Sequence, residues 1–276
     1  MSENSVKDLI KSSKFHFNKN LGQNFIFDTN LLDAIVIDSG VTSEDVVVEI
    51  GTGAGTLTKA IARVAKKVYS FEVDRNLQEI LSLSLQGVNN VEVIFKDVLR
   101  MKDSEIEEIV QGPFKVVANL PYYITTSLVL RFLNSNLNVQ GITIMVQKEV
   151  ADRFVAKANT EEYSAITLAI EMKGKATITR DVNKTMFFPA PNVDSAVVRI
   201  DFERDKLKGE DEKLLTKLTR SAFAMRRKTL ANNLSTAFGI SKQEAENKIV
   251  EAGFEPKIRG EVLTLEDYKK LSKYFK

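Results

Sequence analysis

The chain has 276 residues, 43% of them hydrophobic, a formal net charge of +2 and no cysteine. That length allows one large domain and a small one around a substantial core. The absence of cysteine excludes disulfides, thiolate metal sites and a cysteine nucleophile.

No apolar run reaches the ~18 residues of a membrane span, and Met1 to Lys14 contains no apolar leader segment. A cytoplasmic protein without a membrane partner is therefore expected. His16 is the sole histidine and lies in a polar lead-in, so it reads as a surface residue and no metal is expected.

From Asp45 onward strands and helices alternate. Asp45 to Ile50 is a β-branched run read as a buried strand. It ends in Gly51-Thr52-Gly53-Ala54-Gly55, after which Leu57, Ile61, Ala62 and Ala65 keep helical spacing. Further strands are predicted at Val68 to Val73, Val91 to Phe95, Phe114 to Ala118 and Gly141 to Val146. Helical patterns at Asn76 to Leu85, Ser104 to Val110 and Ser127 to Leu133 separate them. This alternation implies βαβ units and a parallel sheet. Lys175 to Arg180 and Ala196 to Phe202 read as a later strand pair.

After a charged stretch, Glu203 to Glu212, the pattern is helical: Leu214 to Phe223, Arg227 to Phe238, Lys242 to Ala252 and Glu266 to Tyr274. Thr264 and Asp267 form a capping-box pattern before the last helix, with Asp in place of the usual Glu or Gln. The boundary is placed so that residues 1–204 form the α/β domain and 205–276 a small helical domain.

Glycines between a strand and a helix let backbone approach a ligand closely and aim N–H groups at it. Gly51, Gly53 and Gly55 fit that role. Their G-x-G-x-G spacing differs from the dinucleotide G-x-G-x-x-G, and packing alone also explains such glycines. Three acidic strand ends surround them. Glu49 precedes the turn; Glu72, followed by Asp74, is placed to accept ribose hydroxyls; Asp97 is placed to accept from an adenine amine.

The next strand ends in Asn119-Leu120-Pro121-Tyr122. By itself this tetrapeptide also fits a plain turn after a strand. It resembles the amine-methyltransferase motif, in which Asn, Asp or Ser precedes an apolar residue and Pro-Tyr or Pro-Phe. An adenine amine is a poor nucleophile because its lone pair is delocalised into the ring. The Asn119 side-chain oxygen and the Leu120 carbonyl could hold its N–H groups so that the lone pair is aimed at a methyl group. Pro121 would fix the turn and Tyr122 would stack on the base.

Five further strings accompany it: Leu21-Gly22-Gln23-Asn24-Phe25, Glu49-Ile50-Gly51, Gln147-Lys148-Glu149-Val150, Phe188 through Ser195 (FPAPNVDS) and Arg226-Arg227-Lys228-Thr229-Leu230. With them the chain resembles, over nearly all its length, the small-subunit (16S) ribosomal RNA adenine N6,N6-dimethyltransferases. The bacterial members of this family govern kasugamycin sensitivity. The resemblance implies a Rossmann-like methyltransferase domain with a seven-stranded, mostly parallel sheet and a C-terminal helical domain. It implies S-adenosylmethionine as cofactor and two adjacent adenines near the 3′ end of small-subunit rRNA, within a pre-30S particle, as substrate. A monomer is expected. Residues 1–27 would contribute to the cofactor site through Asn24 and Ile26, beside Gly51, Gly53, Glu72, Asp97 and Asn119. Phe187 would stack on the base opposite Tyr122.

Thr52, Ser127 and Ser164 stand where the family usually has Pro, Pro and Gly, which affects loop geometry rather than ligands. Between Lys213 and Asn233 there is no Asp or Glu, and Lys213, Lys217, Arg220, Arg226, Arg227 and Lys228 form a candidate phosphate-binding face. A solvated helix surface is the alternative. Two other functions share these features: a large-subunit (23S) rRNA methyltransferase conferring macrolide resistance, and a non-catalytic ribosome assembly factor. The basic string and the long C-terminal domain favour the small-subunit enzyme over the first. The intact motif and cofactor crevice argue against the second.

Overall fold

The computed structural model describes residues 22–203 and 206–276. His16, Leu21 and the rest of the N-terminal segment before Gly22 lie outside the described residues, as does the expected boundary at 204–205. The strands are β1 (Phe25–Ile26), β2 (Val46–Ile50), β3 (Lys67–Phe71), β4 (Val91–Ile94), β5 (Phe114–Asn119), β6 (Val139–Gln147), β7 (Gly174–Val182), β8 (Phe187–Phe188) and β9 (Ser195–Phe202). The helices are α1 (Thr29–Ser39), α2 (Thr56–Ala62), α3 (Gln78–Ser84), α4 (Asp103–Ile109), α5 (Thr125–Leu133), α6 (Lys148–Phe154), α7 (Ala165–Lys173), α8 (Glu212–Ala222), α9 (Leu230–Phe238), α10 (Lys242–Glu251) and α11 (Leu265–Ser272).

Seven strands form one sheet in the order β4-β3-β2-β5-β6-β9-β7. β2 pairs in parallel with β3 and β5, β3 with β4, and β5 with β6, while β9 runs antiparallel to β6. The expected α/β class and sheet are those observed. Helices on both faces require strands apolar on both sides, and Val47, Val48, Val68, Val116 and Val117 are all 0% exposed. From β2 the chain steps outward to β3 and β4, then returns to β5 on the other side. That reversal opens a crevice at the carboxyl ends of β2 and β5.

α1 is absent from the sequence reading. Asp28 caps it, accepting from the Leu31 amide at 2.8 Å, and Gly40, at φ 63°, stops it. Its Leu31, Leu32, Ile35 and Val36 enter the core beside Ile61 and Val197.

The chain divides into two compact units. One runs to Ala151 and takes up again Thr177–Phe202; the other contains Asp152–Ala176 and Glu203–Lys276. The single boundary after residue 204 is thus corrected: residues 152–176 belong with the helices. Tyr163, Leu168 and Met172 are the cause, because they are buried in one apolar cluster with Leu215, Leu230 and Tyr268. Tyr163 donates to the Leu263 carbonyl at 3.0 Å, which satisfies its otherwise buried hydroxyl. In the same unit Asp267 closes the capping box on α11, accepting from the Thr264 amide at 2.9 Å. No helix among the described residues is long and apolar enough to cross a membrane.

Candidate active site

A cavity of about 530 Å³ occupies the crevice. Asn24, Ile26, Gly51, Gly53, Glu72, Asp97, Asn119, Leu120 and Pro121 all line it. The sequence-predicted cofactor residues are therefore brought together, as are three of the four residues of the Asn-Leu-Pro-Tyr motif.

Glycine is required at position 53. Its φ is +56°, and a Cβ there would stand 3.0 Å from the Phe25 ring. Its amide donates to Glu72 Oε2 at 2.9 Å. Glu72 Oε1 accepts from the amides of Val73 and Asp74, both at 2.8 Å. The carboxylate thus ties the glycine turn to the loop after β3. Its unused acceptor capacity lies mainly on Oε2, so a hydroxyl pair would meet one oxygen better than two. Burial raises the Glu72 pKa, opposed by the three amide bonds.

Glu49 is 0% exposed and does not line the cavity. Its Oε2 accepts from Thr58 and Ser70, each at 2.6 Å, while Oε1 has no partner among the described residues. Burial pushes its pKa up to about 8. Thr52, where the family usually has Pro, places its hydroxyl 2.7 Å from that of Ser70 and so joins this network. Glu49 supports the glycine turn from behind. Asp97 accepts from the Leu99 amide at 3.0 Å and pairs with Arg100 at 3.2 Å.

The segment Gly22 to Ile26 forms a strap along one wall of the cavity. β1 pairs antiparallel with β8, matching Phe25 to Phe188 and Ile26 to Phe187. Thr56 donates to the Ile26 carbonyl at 2.7 Å, and Gln23 donates to Asp74 at 2.8 Å. Asn119 Nδ2 donates to the Asn24 carbonyl at 3.1 Å. The amide of Asn119 is thereby oriented, and its Oδ1 accepts no hydrogen bond among the described residues. The latching role of Gln23 has no signal in the sequence beyond its place in the Leu-Gly-Gln-Asn-Phe string.

The two aromatic residues expected to clasp a base stand apart from this lining. Tyr122 is half-buried, and its hydroxyl lies 2.8 Å from that of Ser195. Phe187 is 5% exposed and packs with Ile26, Leu31 and Val197. The Phe187 ring belongs to that apolar cluster beside β1, the strand with which β8 pairs. Tyr123, 63% exposed, lines the cavity instead.

Of the basic residues, Lys213, Lys217 and Arg220 lie on α8. Lys217 is drawn over the Phe238 ring, 4.0 Å from its centroid. Arg226, Arg227 and Lys228 are not helical, since α9 starts only at Leu230 after its cap Thr229. The helix expected from Arg227 begins three residues late because the Thr229 side chain captures the Asn232 amide. Arg226 is committed internally: it donates to the Glu161 carbonyl and pairs with Glu261 at 3.7 Å. Arg227 and Lys228 are exposed and make no ion pair among the described residues. Ser127 is exposed in the first turn of α5, and Ser164 caps α7, its amide donating to Thr167 at 3.2 Å. No cluster of metal-ligating side chains occurs among the described residues.

A family model described as Ribosomal RNA adenine dimethylase matches residues 14–276. The chain is 41% identical over 269 residues to a Clostridium botulinum (strain Okra / Type B1) protein named Ribosomal RNA small subunit methyltransferase A, covering 97% of each. It is 43% identical to a Bacillus mycoides protein of the same name, covering 98% of this chain and 94% of that one. Among solved structures, a dimethyladenosine transferase from Plasmodium falciparum superposes with a TM-score of 0.73 at 24% identity, covering 90% of this chain and 95% of that one. The 23S rRNA methyltransferase ErmE superposes with a TM-score of 0.70, also at 24% identity, covering 91% and 99%. The two superpositions show a shared fold.

Proposed function

Because the chain belongs to the ribosomal RNA adenine dimethylase family, we propose that it dimethylates the N6 amines of two adjacent adenines near the 3′ end of small-subunit rRNA, with S-adenosylmethionine as methyl donor. The observation that carries this reading is the hydrogen bond from Asn119 Nδ2 to the Asn24 carbonyl at 3.1 Å. It turns the amide nitrogen toward the protein backbone and leaves the oxygen as an acceptor for an amine.

The cavity fits the donor. The glycine turn leaves room for backbone to approach it, Glu72 Oε2 offers a ribose hydroxyl an acceptor, and Asp97 borders the place for an adenine. The bound donor would supply an electrophilic methyl on a sulfonium. Asn119 Oδ1 and the Leu120 carbonyl would hold the target N–H groups, so that the nitrogen lone pair, rather than a hydrogen, faces the methyl. Pro121 keeps those two acceptors in one turn. Orientation and fixed dipoles do the work, without a strong base. Each transfer would break the methyl–sulfonium bond, leave the neutral thioether S-adenosylhomocysteine and give a cationic nitrogen acidic enough to release one proton to solvent. The singly methylated amine then retains a single N–H, so only one acceptor is engaged in the second transfer.

The same reading has the protein act as a monomer, in the cytoplasm, on a pre-30S particle. The names of the most similar relatives support the small-subunit substrate, whereas the likeness to a 23S enzyme supports only the fold. Separate incubation of unmethylated small and large subunits with S-adenosylmethionine, followed by mass spectrometry of each rRNA, tests the proposal. Two adjacent N6,N6-dimethyladenines are expected. Methylation confined to large-subunit rRNA, or none, would overturn it.

A further inference from the structure

The first residue of β9, Ser195, has an exposure of 0%, and its hydroxyl lies 2.8 Å from that of Tyr122. A buried hydroxyl keeps a fixed partner, since leaving it unpaired is costly. The backbone of Ser195 is itself immobile. It pairs with Gln147 in the β6–β9 ladder, and the carbonyl of the preceding Asp194 accepts from the Lys148 amide at 3.1 Å. The Asp194 carboxylate accepts from the Lys184 amide at 2.9 Å, at the start of the turn that leads into Phe187. Tyr122, in contrast, follows the strand end in a short turn and is only half-buried. Its ring is held at one end by the chain and at the other by this hydroxyl.

We infer that Ser195 is a positioning residue for methyl transfer: its hydroxyl fixes the Tyr122 ring at the angle at which a target adenine stacks. This rests on the proposed role of Tyr122 beside the target base. A tyrosine without that anchor would turn about its side-chain bonds, and the base on it would lose alignment with Asn119. A near-attack geometry is sensitive to displacements of about 1 Å. Ser195 therefore acts on the rate of transfer, not on cofactor binding, because it does not line the cavity.

Single-turnover methylation of small subunits by full-length Ser195→Ala, Tyr122→Phe and the double variant tests this. Tyr122→Phe breaks the same bond without touching the core. Each single variant is expected to be slower by about 3- to 10-fold, the scale of one hydrogen bond. The double variant is expected to be no slower than either single, since both remove one interaction. S-adenosylmethionine affinity by calorimetry is expected to be unchanged in all three. A double variant slowed by the product of the single effects, or Ser195→Ala at the wild-type rate, would overturn the inference. Tyr122→Ala separates the two levels. If it transfers at the wild-type rate, the base-stacking role of Tyr122 falls and Ser195 falls with it. If it is strongly impaired while the cycle is additive, only the positioning role of Ser195 is lost.

Discussion

Asn119 concentrates the chemistry in one amide. Its Nδ2 is engaged by the Asn24 carbonyl, so its Oδ1 is presented as an acceptor. Asn119→Ala removes that acceptor and leaves the Tyr122 ring. Single-turnover transfer is expected to fall about 10²–10³-fold, as for loss of one preorganised partner, with RNA binding largely retained in filter-binding assays. Asn119→Asp keeps an acceptor oxygen but loses the donor to Asn24, so partial activity is expected; a wild-type rate in Asn119→Ala would reduce the motif to a turn. Glu49 gives a prediction in pH. Its folded pKa of about 8 lies above the unfolded value of 4.5, so the native state holds a proton that the unfolded state has lost between these values. The contribution is full below the unfolded value and is lost as pH rises through the folded one. Stability should decline by up to ~1.4 kcal/mol per pH unit across that window. Glu49→Gln, neutral throughout, should flatten the decline; parallel denaturant titrations of both proteins at pH values across the window check it.

At the scale of elements, the strap and the glycine turn behave as one assembly. Phe25 packs where a Gly53 side chain would be, and the Gly53 amide is held by Glu72. Gly53→Ala should strain a φ of +56° and push β1 outward. About 1–3 kcal/mol of stability is expected to go, with a weaker S-adenosylmethionine affinity, both read by melting and calorimetry. Unchanged affinity would show that strap and turn move independently. The sequence makes β2 to β6 legible because β-branched runs alternate there with helical spacing. It is silent on β1 and β8, two-residue strands whose pairing spans 163 positions from Phe25 to Phe188; such short pairs have no periodicity to detect. α1 does carry local signals that the strand–helix alternation from Asp45 onward leaves out: Asp28 as cap, Gly40 as stop, and Leu31, Leu32, Ile35 and Val36 at helical spacing. α7 is a similar case, since Leu168 and Met172 are four apart and Ser164 precedes it.

For the whole molecule, the basic stretch is where charge counting and structure diverge. Arg226 is occupied by Glu161 and Glu261, and Lys217 lies over Phe238. All three cations of the turn are exposed, but Arg227 and Lys228 make no ion pair among the described residues. Arg227→Ala with Lys228→Ala is expected to lower the salt-dependence slope of RNA binding by roughly one unit for each phosphate no longer neutralised, with melting unchanged. Arg226→Ala should instead lower the melting temperature of the helical unit; a slope that both variants leave intact would remove this face from the RNA interface. The sequence by itself determined the α/β class, the alternation of strands and helices along the chain, the glycine turn and the acids around it, and the tetrapeptide at the end of β5. These are local patterns: burial imposes its period on the residues themselves, and strand ends carry their polar groups in order. Only the tertiary structure decided which way the Asn119 amide faces, that Phe187 is covered, that Glu49 stays out of the cavity and that residues 152–176 join the helices. Each of those depends on segments far apart in the chain meeting in space, where packing density and hydrogen-bond satisfaction, not local propensity, select the outcome.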